Sequence, residues 1–176
     1  MAVVERKGLI KFAGMDQTIV GEDIQVGRKA PNFTIQKNDW TVSKGLKETK
    51  RKVRIILSLP SLDTAVCDRE TRRFNEEASK LGKGIAVLVV SMDLPVAQKR
   101  WCGAAGVENV ITVSDTLKAD FGKKYGTLMK EVRLLRRAVF VVDRKGIVTY
   151  AAYMPTNGDE PNYEEVLAAA RAALGK

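Results

Sequence analysis

The segment Pro60-Ser61-Leu62-Asp63-Thr64-Ala65-Val66-Cys67 sets a cysteine just inside the pattern that opens a helix. The residues before it, Val53 to Ser58, alternate in strand fashion and stop at Pro60, which cannot donate to a sheet ladder. With Thr64 as the cap, Cys67 takes the third helical position. Unpaired backbone N–H groups and the positive end of the helix dipole there favour thiolate over thiol. A thiolate is a nucleophile that needs no imidazole beside it. The point matters because the chain has no histidine, which excludes Ser-His-Asp and Cys-His arrangements. Position alone leaves a second reading equally open, in which Cys67 is a small apolar side chain packed under a sheet.

The other cysteine is Cys102. Two cysteines without histidine are too few soft ligands for a tetrahedral zinc site and too few for a disulfide scaffold, so no metal is expected. No cofactor is expected either: Gly82-Lys83-Gly84 follows a helix and lacks phosphate-loop spacing. The lack of a Cys-x-x-Cys disfavours a thioredoxin-type disulfide reductase. Asp63 and Asp93 read as helix caps rather than a catalytic carboxylate pair, and Trp40 and Trp101 as core or interface aromatics. The net charge of +9 comes from 30 basic against 21 acidic residues. Its basic runs carry no interleaved aromatic motif, so they read as solvated surface and nucleic acid is a disfavoured partner. Apolar runs are strand-sized, which argues against a membrane protein. The stretch Met1 to Phe12 is interrupted by Glu5, Arg6, Lys7 and Lys11 and lacks the form of a secretory signal, so a cytoplasmic location is expected.

A chain of 176 residues suits a single domain, residues 1–176. Leu9 to Phe12 and Gln17 to Val20 predict an N-terminal β-hairpin around a loop of Ala13, Gly14, Met15 and Asp16. Short extended pieces and loops follow, to about residue 46. After the strand at Val53, a helix is predicted from Asp63 or Thr64 to Leu81, stopped by Gly82. Ile85 to Val90 is a continuous apolar run expected in mid-sheet. Val96 to Ala105 predicts a helix carrying Cys102, and Val110 to Val113 another strand. A further helix is predicted from Asp115 to Tyr125, with Leu117, Phe121 and Tyr125 on its buried face. Ala138 to Val142 and Ile147 to Tyr153 predict an antiparallel pair, and Tyr163 to Leu174 the last helix. This order is that of an α/β, thioredoxin-like fold, a central mixed β-sheet flanked by helices.

Pro60-x-x-x-Thr64-x-x-Cys67 resembles the active-site signature of peroxiredoxins. The longer texts LSLPSLDTAVCDRETRRFN and SMDLPVAQKRWCGAAGVENVITVSD, with RRAVFVVDRKGIV and PNYEEVLAAARAAL, resemble the thiol peroxidase subfamily of atypical two-cysteine peroxiredoxins. The resemblance spans Leu9 to Leu174. It implies a thiol-dependent peroxidase that reduces hydrogen peroxide and organic hydroperoxides, with Cys67 the attacking thiolate and Cys102 the cysteine that forms a disulfide with it. It also implies that Thr64 hydrogen-bonds the thiolate and the peroxide, that Pro60 shields the sulfur, and that Arg137 holds the site. A guanidinium stabilises both a thiolate and the charge that develops as an O–O bond breaks. Strand alternation allows only one of Arg136 and Arg137 on that face. Thioredoxin as reductant and a homodimer are further implications. Gly126 to Leu135 departs from the family pattern, being charged where a Gly/Pro loop is usual beside the peroxide entrance. The alternative is a redox-sensing or basic-surface binding module without significant turnover.

Overall fold

The computed structural model describes residues 3–175. Met1 and Ala2, which begin the N-terminal stretch read for a signal, lie outside the described residues, as does Lys176. In chain order the elements are β1 (Glu5–Phe12), β2 (Met15–Val20), β3 (Thr34–Gln36), β4 (Val42–Lys44), β5 (Val53–Ser58), α1 (Ala65–Leu81), β6 (Ile85–Ser91) and α2 (Pro95–Ala105). Then come β7 (Val110–Ser114), α3 (Asp120–Lys124), β8 (Leu128–Met129), β9 (Leu134–Leu135), β10 (Ala138–Val142), β11 (Val148–Tyr153) and α4 (Tyr163–Leu174). Among the described residues no helix is long and apolar enough to cross a membrane.

The main sheet runs β11-β10-β5-β6-β7-β3-β4, so the apolar β6 lies at its centre, as its sequence predicts. β5, β6 and β7 are parallel and β10 is antiparallel to β5. Side-chain alternation divides the core in two. Val53, Ile55, Leu57, Val87, Val89, Val139 and Val141 face α1, α2 and α4, and Cys67 belongs to that cluster. Ile56, Leu88, Val90, Phe140 and Val142 face the other way, onto Phe33, Phe121 and Tyr125. Burial on both faces is what makes β5 and β6 near-continuous apolar runs.

The hairpin turn is tighter than predicted. Ala13 and Gly14 form it alone, with φ of 49° and 80°, and Met15 and Asp16 already belong to β2. Two positive φ values match the right-handed twist of the strands they join. The charged stretch from Gly126 to Leu135 becomes β8 and β9, which extend this hairpin into a second sheet, β1-β2-β8-β9. Lys130 pairs with Glu5, and Glu131 accepts from the Thr18 hydroxyl and N–H, so the charges hold one short strand pair to the other.

The helix predicted over Asp115 to Tyr125 is overturned in its first half. Only Asp120–Lys124 is helical, and Leu117 is exposed. The cause is local: Ala119 adopts a left-handed φ of 49°, and the buried Asp115 carboxylate accepts from the Phe121 and Gly122 N–H groups at 3.0 and 2.8 Å. Asp115 therefore caps α3 from a distance instead of beginning it. Asp115→Ala leaves those donors unpaired and is expected to lower stability by about 2 kcal/mol. A urea unfolding midpoint displaced at unchanged slope is the measurement that checks it.

Candidate active site

Cys67 lies at the C-terminal edge of the parallel strands, at the third position of α1 after the Thr64 cap. Its side chain is 0% exposed, packed with Leu57, Leu59, Leu62 and Trp101 in the helix-side core. The apolar and the nucleophilic readings of Cys67 are thus not alternatives in space. A purely apolar environment would hold a thiol in its neutral form. One charged group breaks that environment, the Arg137 guanidinium, whose Nη2 lies 3.2 Å from the sulfur.

Arg137 reaches the sulfur through strand alternation. It directly precedes β10, and Ala138 pairs with Ser58 at the end of β5, so residue 137 sits beside the loop that leads to Cys67. Odd-numbered Val139 and Val141 face the helices, and Arg137 shares their side. Arg136 faces the other way, where it bonds Asp23 at 2.7 Å and stacks on Tyr153 at 4.0 Å. Asn157 anchors Arg137: its carbonyl accepts from Nε and Nη2 at 3.2 and 2.9 Å, and its side-chain oxygen accepts the Arg137 N–H. The Asn157 amide in turn touches Met129 of β8, which links the departing Gly126 to Leu135 stretch to the site.

The sequence reading missed Glu70. It lies one helical turn after Cys67 on the same face of α1, is 0% exposed, and bonds Arg137 Nη1 through Oε2. The signal was available: Cys67, Glu70, Phe74 and Glu77 recur at helical spacing, and two carboxylates fall in an apolar stripe. Burial raises the Glu70 pKa from 4.5 to about 7, with Arg137 opposing the rise and Glu160 adding to it. Burial alone would lower the Arg137 pKa, but Glu70 and Cys67 raise it, so the guanidinium stays charged.

The Thr64 hydroxyl donates to the Ser61 carbonyl at 3.0 Å, and neither a cap bond nor a bond to Cys67 is formed. Pro60 is buried next to Leu59, between β5 and α1. Asp93 is not the α2 cap that it resembles in sequence, since Leu94 holds that position and Pro95 begins the helix. Its carboxylate instead accepts from the Ser61 hydroxyl at 2.6 Å, the Leu62 N–H at 2.8 Å and the Ser91 hydroxyl at 2.7 Å. The loop before Cys67 is thereby tied to the end of β6. Asp63 is exposed outside the Thr64 cap and faces Arg100 at 3.7 Å. Trp101 is buried, whereas Trp40 is half exposed on a turn.

Cys102 is a free, half-buried thiol on α2 with its sulfur 3.4 Å from Thr112 Oγ1, and Cys67 is also free. The neighbours of the two cysteines join their helices. Trp101 Nε1 donates to Asp68 at 3.1 Å, Asp68 accepts from Arg72 Nε at 2.8 Å, and Arg72 donates to the Ala105 carbonyl at 3.1 Å.

The Redoxin family matches residues 25–167. A thiol peroxidase of Halalkalibacterium halodurans is 50% identical over 165 residues, which cover 94% of this chain and 98% of that one. The chain belongs to the redoxin family, in its thiol peroxidase branch. The thiol peroxidase of Bacillus subtilis is 49% identical over the same shares of the two chains. A peroxiredoxin-like protein from Aquifex aeolicus superposes with a TM-score of 0.84 at 37% identity, covering 95% of this chain and 98% of that one. Thiol peroxidase from Chromobacterium violaceum, at 17% identity and a TM-score of 0.81, covers 93% of this chain and 95% of its own and shares the fold. The thioredoxin-like, mixed α/β architecture read from the sequence is therefore that of this redoxin.

Two measurements probe the charge arrangement. Arg137→Met removes the only cation bonded to Cys67 among the described residues, and alkylation of Cys67 at pH 7 is expected to slow at least about tenfold. Glu70 binds its proton more tightly in the folded than in the unfolded chain. Its contribution to stability is therefore complete below pH 4.5 and lost as pH rises toward about 7. Thermal melts across that interval are expected to show Tm falling with pH, and Glu70→Gln to flatten the fall.

Proposed function

We propose that this redoxin is a thiol-dependent peroxidase acting on hydrogen peroxide and organic hydroperoxides, with Cys67 as its peroxidatic nucleophile. One observation carries the reading: in a chain without histidine, a buried cysteine at a helix N-terminus has a guanidinium 3.2 Å from its sulfur. The helix terminus and Arg137 supply the stabilisation of a thiolate that an imidazole would otherwise give.

The Cys67 thiolate attacks one peroxide oxygen. An S–O bond forms, the O–O bond breaks, and the leaving oxygen departs as hydroxide or alkoxide, then takes a proton to become water or alcohol. The sulfur is oxidised by two electrons to sulfenic acid and the peroxide is reduced by two. Arg137 offsets the charge that develops on the departing oxygen. Thr64, by turning its hydroxyl from the Ser61 carbonyl, bonds the peroxide and the sulfur, while Pro60 limits water at the entrance.

Cys102, ionised to its thiolate, then attacks the sulfenic sulfur; an S–S bond forms, the S–O bond breaks, and the departing hydroxide takes up the proton that Cys102 released and leaves as water. Closing this Cys67 to Cys102 disulfide draws the two sulfurs together and disturbs the ties among Trp101, Asp68, Arg72 and Ala105. Two electrons from a dithiol, in this reading that of thioredoxin, return both cysteines to thiols. The same reading holds residues 1–176 as a single domain, working as a homodimer in the cytoplasm. Its support is family membership.

Intact mass and thiol count after one equivalent of hydrogen peroxide test the reading. The unsubstituted chain is expected to lose both thiols and about 2 Da, and Cys102→Ser to gain about 16 Da at Cys67. Cys67→Ser should lose essentially all peroxide turnover. Thiols that persist in the unsubstituted chain, or turnover that survives Cys67→Ser, would overturn it.

A further inference from the structure

Cys102 has a polar partner that the sequence gives no reason to expect. Thr112 lies on β7 with its side chain toward the helices, 3.4 Å from the Cys102 sulfur through Oγ1. The side-chain amide of Asn38, from the loop after β3, donates to that same oxygen at 2.9 Å. Side chains from two other segments, α2 and the loop after β3, thus converge on one hydroxyl of β7.

The proton count decides what the hydroxyl can do. A threonine hydroxyl has one proton and two lone pairs. Asn38 occupies a lone pair, and among the described residues the sulfur is the only other polar partner of Thr112 Oγ1. While Cys102 is a thiol, either atom can donate across the contact. Once it is a thiolate, only the Thr112 O–H can, and a hydrogen bond to an ionised acceptor is the stronger one. The thiolate is also the form that attacks a sulfenic sulfur. The nearby Lys37 ammonium lies 3.8 Å from Glu48, so its charge is already partnered. A recess of about 310 Å³ is lined by Lys37, Glu48, Val107 and Ile111 along with Cys102 and Thr112.

We propose that Thr112 is a further catalytic residue of this enzyme, donating a hydrogen bond from its hydroxyl to the Cys102 thiolate, with Asn38 the positioning residue that orients it. The inference rests on the reading of Cys102 as the cysteine that closes the disulfide. In that step Thr112 transfers nothing: it stabilises the attacking sulfur before the S–S bond forms and water leaves.

The test separates Cys102 from Cys67. In Cys67→Ser the only thiol is Cys102, and its alkylation by iodoacetamide is followed from neutral to alkaline pH. Adding Thr112→Val is expected to displace the pH profile about one unit toward alkaline pH, the worth of one hydrogen bond to an ionised group. The rate at pH 7 should fall only about threefold, because a more basic thiolate is also the better nucleophile. Thr112→Ser should restore the profile, and Asn38→Ala should displace it by a smaller amount; a change of packing alone would not follow this order. With Cys67 present, quenched mass measurements should show the disulfide forming about threefold more slowly in Thr112→Val at pH 7. Coincident profiles, or faster disulfide formation in Thr112→Val because the contact merely restrains Cys102, would overturn the role of Thr112. Failure of the unsubstituted chain to form any disulfide would instead overturn the role of Cys102 itself.

Discussion

A guanidinium removed from water governs this structure. Arg137 is 1% exposed, and a buried cation is tolerated only where charge and hydrogen bonds replace its hydration. Glu70 Oε2, the Asn157 carbonyl and the Cys67 sulfur are its partners there. Because these partners belong to α1 and to the segment after β11, the requirement draws separate parts of the chain to one edge of the sheet. The sulfur is one of the groups that partners the arginine, so the contact on which the proposed chemistry rests is also part of how a buried cation is satisfied.

The sheet makes this meeting possible. Antiparallel pairing of β10 with β5 sets Ala138 opposite Ser58, so the residue before β10 and the loop after β5 share an edge. Alternation then sends neighbouring arginines to opposite faces, Arg137 to the thiol and Arg136 to Asp23 and Tyr153. Asp93 secures the loop itself by gathering Ser61, Leu62 and Ser91 on one carboxylate. A one-residue slip in the β5 and β10 register would exchange the faces of the arginines.

The two cysteines occupy contrasting surroundings. Cys67 is sealed in the core with a charged partner, while Cys102 is half-buried beside a neutral hydroxyl and a small recess. Their helices are joined through Asp68, Arg72, Trp101 and the Ala105 carbonyl, residues adjacent to or one turn from the sulfurs. With both cysteines free, those ties are intact.

The sequence by itself determined most of the elements and the place of Cys67. Strand periodicity, the proline stop, the Thr64 cap and the Gly82 stop are local, and they set Cys67 at the third position of α1 without any distant contact. The absence of histidine removed the alternatives that rely on imidazole. Local signals failed where a distant or unusual interaction prevailed. Asp115 to Lys118 carries helical periodicity, yet Ala119 turns left-handed and Asp115 caps from outside; Asp93 resembles a cap and instead anchors a loop. Glu70 was visible only as a polar residue in an apolar stripe, and nothing in the order of residues ties it, Asn157 or Thr112 to a particular arginine or cysteine. Those pairings span 67 residues from Glu70 to Arg137, 20 from Arg137 to Asn157 and 10 from Cys102 to Thr112. Only the tertiary structure decided them, because hydrogen bonds and buried charges depend on which side chains the strand register and helix packing bring within about 3 Å, a relation through space that local periodicity does not carry.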